Sequence, residues 1–368
     1  LKVLVVFGTR PEAIKMCPLI LEMKNRPGIE TVICLTGQHK EMLKQVMDVF
    51  NISETYNLDI MKNRQTLTSI TASILEKLEP ILLKEKPDIV LVHGDTTTSF
   101  AAALAAFYQK IPVGHVEAGL RTHDIYSPFP EEMNRLLTDR ISSIYFAPTE
   151  QNKKNLLKEG IVNNVYVTGN TVIDSFAITV KNNYVFHNQV LREIDFNSKR
   201  IVLVTAHRRE NLGTPIENIC SAISKLANEY KDVNFVYPVH LNPAVRDVVF
   251  DKLSGIKNVF LIDPVDVLDM HNMMARCYMV LTDSGGIQEE APHFGKPVLV
   301  LRTETERPEA VKAGTVKVIG IETEKIYKTA KDLLDDSVLY SGMAKAINPY
   351  GNGHTSKQIV DLLLKKAF

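Results

Sequence analysis

The chain has 368 residues, in which 43 Lys and Arg side chains balance 43 Asp and Glu. That length exceeds what a single hydrophobic core usually holds, so two domains are expected. The even charge excludes a bulk electrostatic partner such as nucleic acid or a membrane surface, while leaving room for a small anion held by a local cationic cluster. The longest apolar runs are strand-length and too short to span a bilayer. Cys17, Cys34, Cys220 and Cys277 show no paired spacing and read as buried free thiols of a reducing cytoplasm; no zinc site is supported. A strand that starts at residue 2 leads us to expect no leader peptide.

Residues 2–7 (KVLVVF) read as a buried strand and 11–23 as a helix with proline in its first turn. Strand 32–35, helix 39–50, a long helix 67–83, strand 88–92 and an Ala-rich helix 96–108 follow. Strand 111–116, helix 131–141 and short strands 144–147 and 165–167 close the first half. A second cycle opens at 200–205 (RIVLVT) and continues through helix 216–230, strand 233–238, helix 243–253 and strand 259–262. A helix near 268–276, strand 278–281, a helix led by Ser-Gly-Gly and strand 297–301 complete it. Such alternation gives an α/β protein with two doubly wound, Rossmann-like domains, whose strand ends are expected to face a central cleft. The expected boundaries are 1–170 and 171–352, with a helix in 353–368 returning to the first domain.

The polar motifs fall at the carboxyl ends of these strands, where ligands bind in open α/β sheets. Gly8-Thr9-Arg10-Pro11-Glu12 follows the first strand with Lys15 a turn later, and a cation there suits a phosphate or carboxylate. Asp95, in HGDTTT at 93–98, is either the N-cap of the Ala-rich helix or a cleft carboxylate. Glu117, in HVEAGLR at 115–121, has no helix to cap because Gly119 interrupts, which favours a functional role. Glu131 opens a helix, where the dipole alone would favour an acid. His207-Arg208-Arg209 directly after a buried strand suggests an anion, and His240 is either a helix-start residue or a second ligand contact. In TDSGGIQEEAPHFGKPVLVLRTETER at 282–307, Ser284-Gly285-Gly286 offers backbone N–H groups at a helix start. Glu290 is placed to accept from both ribose hydroxyls, and Arg302 and Arg307 follow the next strand. Together these residues describe a nucleotide diphosphate site with carboxylates nearby.

The segments FGTRPEAIKM at 7–16, HGDTTT at 93–98, GHVEAGLRT at 114–122, FPEEMNR at 129–135, TAHRREN at 205–211 and LTDSGGIQEEAP at 281–292 resemble, in order and across the chain, the non-hydrolysing UDP-N-acetylglucosamine 2-epimerases. The resemblance implies a glycosyltransferase-B-like fold and a cytoplasmic homodimer. It also implies interconversion of UDP-GlcNAc and UDP-ManNAc without cofactor or metal. It implies that Asp95, Glu117, Glu131 and His207 are catalytic. UDP contacts would come from Arg10, Lys15, Ser284, Gly285, Gly286, Glu290 and Arg307, with the segment around Val265 and Met270 over the base. A second, activating UDP-GlcNAc would be held by Gln38, Arg64, Arg208 and His240, although Glu41 departs from the Gln of regulated members. A glycosyltransferase of the same fold and a hydrolysing epimerase are the alternatives, and the sequence leaves the division of acid and base among the carboxylates open.

Overall fold

The computed structural model describes residues 1–37, 40–62 and 65–366, with backbone alone at 40–42. The chain forms two units, Leu1–Ile178 together with the segment from Tyr350 onward, and Thr179–Pro349.

The first unit carries seven parallel strands: β1 (Lys2–Phe7), β2 (Glu30–Leu35), β3 (Tyr56–Asn57), β4 (Ile89–His93), β5 (Val113–Val116), β6 (Ile144–Ala147) and β7 (Val165–Val167). Their spatial order is β3-β2-β1-β4-β5-β6-β7. The second unit has six: β8 (Arg200–Thr205), β9 (Val233–Pro238), β10 (Val259–Ile262), β11 (Met279–Thr282), β12 (Val298–Val300) and β13 (Val316–Val318), in the order β10-β9-β8-β11-β12-β13. Each order runs outward from its first strand, reverses, and continues from the fourth. That is the doubly wound Rossmann arrangement, and it leaves a crevice where the order reverses. The reversal falls between β1 and β4 in one unit and between β8 and β11 in the other.

The central strands are apolar on both faces because helices cover both sides of a parallel sheet. Every residue of β4 is buried, as is all of β1 and β8 after the first position. In the first unit Leu4, Val6, Val90 and Val92 pack with Ile74 and Leu78 of the Leu67–Glu85 helix and with Ala101, Ala102 and Ala105 of the Thr97–Tyr108 helix. In the second, Val202, Val204, Phe235 and Tyr237 pack with Ile219, Ile223 and Leu226 of the Thr214–Glu229 helix.

Two of the expected strands that begin later than the sequence suggested do so for one reason. Pro112 and Pro297 have no N–H for the ladder, so β5 starts at Val113 and β12 at Val298, while both proline carbonyls still accept neighbouring N–H groups. The chain between β7 and β8 forms the Val172–Thr179 and Gln189–Glu193 helices. The Thr355–Lys365 helix lies in the first unit, where Asp174 accepts from Thr355 N at 3.1 Å and also from Ser356 N. Arg26 Nη2 meets Asp361 at 2.7 Å on the same helix. All four cysteines are buried and free, and burial pushes the thiols of Cys34, Cys220 and Cys277 up to about 12, so they are inert at neutral pH. Among the described residues no helix is long and apolar enough to cross a membrane.

Candidate active site

In the first unit the polar residues gather at the β1/β4 switch point. Thr9 caps the Arg10–Lys24 helix in extended conformation. The buried Glu12 accepts from Gly8 N at 3.0 Å, Thr9 N at 2.8 Å and Thr96 Oγ1 at 2.7 Å. Burial pushes its carboxyl up despite these donors. Glu12 thereby bolts the turn after β1 to the turn after β4, and the helix start presents Arg10 and Lys15.

Lys15 reaches across to Glu117, just beyond β5, as its ion-pair partner. The same oxygen of Glu117 accepts from Asn170 Nδ2 at 2.7 Å and lies 3.7 Å from His93 Nε2. Glu117 adopts φ +68°, a left-handed conformation that bulky L-residues rarely hold. Such strain persists only where the surroundings impose it, and it gathers at functional sites. His93 is buried, its Nε2 makes no hydrogen bond, and burial pulls its pKa down to about 4. A neutral imidazole therefore faces the Glu117 carboxylate.

Asp95 is not a cap. Thr96 takes that role for the Thr97–Tyr108 helix, accepting from Ser99 N at 3.1 Å. Asp95 Oδ2 instead meets Arg135 Nη2 at 2.6 Å, and its carbonyl accepts from Asn134 Nδ2 at 2.9 Å. Both partners lie in the Glu131–Ile141 helix, so Asp95 and Glu131 share one neighbourhood. Within that helix Glu132 is the structural acid, accepting from Thr122 N at 3.0 Å and His123 N at 3.1 Å. Glu131 keeps Oε2 buried without a hydrogen-bond partner. Glu117 Oε1 lies 3.4 Å from where a Cβ on Gly94 would stand, which puts it over the turn that carries Asp95.

A buried ionic layer supports these turns. His115 places Nδ1 at 2.6 Å from Asp139 and Nε2 at 2.8 Å from the Gly94 carbonyl. Arg121 donates to Asp139 at 2.6 Å and to Glu159 at 2.7 Å. Burial acts to raise the Asp139 carboxyl, but His115 and Arg121 outweigh it and hold it below the usual range.

In the second unit the loops after β8 and β11 meet at the other switch point. Asp283 Oδ2 accepts from His207 N at 2.7 Å, Arg208 N at 2.8 Å and Asn211 Nδ2 at 2.9 Å. The His207 ring stacks on His240, centroids 5.3 Å apart and planes 7° from parallel. His240 Nδ1 also accepts from Asn242 N at 3.1 Å. Burial lowers the pKa of His207, with Asp283 opposing and His240 and Arg208 adding to the fall.

Ser284 precedes the Gly285–Glu290 helix without spending its hydroxyl on a cap. A Cβ at 285 would lie 2.7 Å from Arg307 Nη1 and one at 286 would lie 3.0 Å from Glu290 Oε1, so the two glycines let both side chains close over the helix start. Arg307 is aimed over the helix start by Glu289, at 2.8 Å, and Glu306, at 2.7 Å. Glu290 lies 3.7 Å from His271 Nε2 and is 15% exposed, whereas Gln288 and Glu289 are buried. Arg302 is engaged by Glu210 at 2.6 Å.

The sequence-derived residues thus fall into two groups, Arg10, Lys15, Asp95, Glu117 and Glu131 in the first unit and His207, Arg208, His240, Ser284, Gly285, Gly286, Glu290 and Arg307 in the second. Lys15, expected at the diphosphate, is the ion-pair partner of Glu117. Gln38 and Arg64 lie outside the described residues, as does the side chain of Glu41. Val265 is buried, and Asp266 beside it caps the Val267–Arg276 helix. Sequence reasoning missed His93, Arg135, Asn170 and Asp283. Asp283 carried the clearest signal, an acid between the buried end of a strand and the Ser-Gly-Gly turn.

Two doubly wound sheets of this order, each with its polar loops at the switch point, define a two-domain Rossmann-like protein of glycosyltransferase-B-like fold. The glycosyltransferase SnogD from Streptomyces nogalater shares that fold at TM-score 0.62 and 15% identity, with 98% of this chain and 99% of that chain covered. The sequence model of the UDP-N-acetylglucosamine 2-epimerase family matches residues 21–364. The UDP-N-acetylglucosamine 2-epimerase of Bacillus subtilis (strain 168) is 54% identical over 365 residues, spanning 99% of this chain and 95% of the relative. The crystal structure of UDP-GlcNAc 2-epimerase from Neisseria meningitidis bound to UDP-GlcNAc is 52% identical, covers both chains fully and superposes at TM-score 0.93. The chain belongs to the UDP-N-acetylglucosamine 2-epimerase family, and its enzyme class is that of the epimerases.

Proposed function

We propose that the protein interconverts UDP-GlcNAc and UDP-ManNAc by eliminating UDP and adding it back. The proton at sugar C2 is not next to a carbonyl, so abstracting it first would leave an unstabilised carbanion. Departure of UDP takes the C1–O electron pair and leaves an oxocarbenium-like C1, which acidifies C2–H. A carboxylate then removes the proton, the C–H pair closes a C1–C2 double bond, and 2-acetamidoglucal forms. Protonation on the opposite face with return of UDP to C1 gives the epimer.

The observation that carries this reading is Glu117, a carboxylate held in left-handed backbone between Lys15, Asn170 and a neutral His93. Asp95, Glu117 and Glu131 are the acids and bases, and a positioned group of this kind is worth about 10²–10⁴ in rate. Ser284, Gly285 and Gly286 hold the diphosphate, Glu290 the ribose, and Arg10, His207 and Arg307 the charge that develops as UDP leaves, at about 10²–10³ in rate per preorganised donor. Lys15 serves by stabilising the Glu117 carboxylate. That the Neisseria meningitidis relative binds UDP-GlcNAc supports the substrate assignment.

The test is to incubate UDP-GlcNAc alone in deuterated water and resolve the products by NMR. UDP-ManNAc carrying deuterium at C2 is expected. Protium at C2 would overturn the exchangeable base, free N-acetylmannosamine with UDP would mark a hydrolase, and no reaction without an acceptor would mark a transferase.

The same reading makes the enzyme a cytoplasmic homodimer that supplies N-acetylmannosamine units to surface polysaccharide and is activated by UDP-GlcNAc at a second site. Arg208 and His240 belong to that second site, and the stacking of His240 on His207 favours it because a ligand on one ring acts on the other.

A further inference from the structure

Asp283 is fully buried, yet only one of its two oxygens is satisfied. Oδ2 takes all three hydrogen bonds, from the backbone of His207 and Arg208 and from Asn211. Oδ1 has no hydrogen-bond partner and stands 3.6 Å from Nδ1 of His207. An unpaired carboxylate oxygen away from water is costly and is retained where it has a use. Here the carboxylate is anchored by the backbone N–H of the very residue whose ring its free oxygen addresses. Loop and ring orientation are therefore fixed by one side chain. The other groups around the His207 ring are the stacked His240 and the Arg208 guanidinium, both of which oppose positive charge on it. Around Asp283, besides Asn211, Tyr237 lies close enough to feel its charge and spends its hydroxyl on the Ala206 carbonyl at 2.8 Å.

We propose that Asp283 is the positioning residue of His207: it fixes the proton on Nδ1, turns Nε2 toward the ligand, and supplies the counter-charge when that ring becomes imidazolium beside a diphosphate. The inference rests on the reading that His207 attends the departing UDP. In the free protein the ring is neutral, with hydrogen on Nδ1 and a lone pair on Nε2. As the anion binds, Nε2 takes one proton from solvent and donates it as a hydrogen bond to a phosphate oxygen; no covalent bond changes. Asp283 orients the ring, as the buried acid of a His–Asp dyad does.

The full-length protein labelled with ¹⁵N-histidine tests this. The His207 ring signals are assigned by their loss in His207→Gln. Protonated Nδ1 with bare Nε2 is expected in the free protein, and both nitrogens protonated with saturating UDP. Hydrogen on Nε2 in the free protein, or a neutral ring in the UDP complex, would overturn the dyad. In Asp283→Asn the amide oxygen can keep the three anchoring bonds while its NH₂ faces Nδ1, so the tautomer is expected to flip. Turnover should then drop by about 10²–10³-fold, with UDP affinity much less affected, because the lost charge matters most in the transition state. The alkaline limb of the kcat profile should also move to lower pH. Wild-type turnover with an unshifted profile would refute the proposal. If Asp283→Asn does not fold, the wild-type spectra decide alone. Normal turnover by His207→Gln would sink the reading of His207 itself, a result independent of the tautomer.

Discussion

Replacing Gly285 with alanine separates folding from function with a single methyl group. The backbone there is ordinary right-handed helix, so alanine is conformationally acceptable and even favoured by about 0.5–1 kcal/mol. The new Cβ, however, would stand 2.7 Å from Arg307 Nη1, 2.8 Å from Cζ and 3.1 Å from Nη2. Carbon–nitrogen contact needs roughly 3.5 Å, so the guanidinium must withdraw by about 0.7 Å or more. It is held at 2.8 Å by the buried Glu289 and at 2.7 Å by Glu306, and such a movement breaks or lengthens at least one of those bonds. A hydrogen bond to a charged group contributes about 1.5–3 kcal/mol, which outweighs the helix gain and leaves a net loss of about 1–2 kcal/mol. On the proposed reading the same movement takes Arg307 off the diphosphate, where one preorganised donor is worth about 10²–10³ in rate. Calorimetry with UDP, steady-state turnover and thermal melting together report the outcome. The expected pattern is a melting temperature within a few degrees of wild type, UDP affinity weaker by about tenfold or more, and turnover down by about two orders of magnitude. Normal affinity and turnover would refute the placement of Arg307 at the phosphates. A large loss of stability would show that the loop cannot yield as described.

Three further outcomes are expected. His93 has a folded pKa of about 4 against 6.5 unfolded, so the unfolded chain binds a proton between these values that the native state refuses, and stability falls as pH drops through that window by about 3 kcal/mol. Denaturant midpoints of His93→Asn and wild type should therefore converge toward pH 4, and parallel curves would count against a buried neutral imidazole. Asp174→Ala removes two hydrogen bonds to the start of the Thr355–Lys365 helix and should cost about 1–3 kcal/mol by urea titration, with an unchanged midpoint as the contrary result. Starting from pure UDP-ManNAc, the reverse reaction should show a lag that trace UDP-GlcNAc abolishes, and a linear course insensitive to Arg208→Ala would refute activation.

The strands that organise the fold were legible because parallel sheets covered on both faces need unbroken apolar runs, as in KVLVVF and RIVLVT. The two-residue β3 and the three-residue β13, with Lys317 at its centre, have no such run and are defined only by the strands they pair with. The Glu150–Lys158 helix buries only Asn152, Asn155 and Leu156, too few apolar positions to show a helical period. Candidate site residues were readable where they followed a strand directly, because the chain itself delivers them to the switch point. Their partners were not, since the contacts between Lys15 and Glu117, or between Asn170 and Glu117, join residues 102 and 53 positions apart. Pairing strands fixes those distances, and no local pattern encodes them. Pro112 and Pro297 show the converse case, a strand start written into one residue by the donor it lacks.

The attachment of the Thr355–Lys365 helix to the first unit has a consequence for biosynthesis. In sequence the second unit, Thr179–Pro349, is one uninterrupted stretch between the opening and closing segments of the first, which are therefore separated by that whole stretch of translation. On the ribosome the later-made unit can finish folding while the earlier-made one still waits for the Thr355–Lys365 helix. Until that helix emerges, the exposed carboxylate of Asp174 and the uncovered flank of the Arg10–Lys24 helix wait in the nascent chain for their final partner. Completion of the first unit is thereby tied to residues made only after the whole of the second.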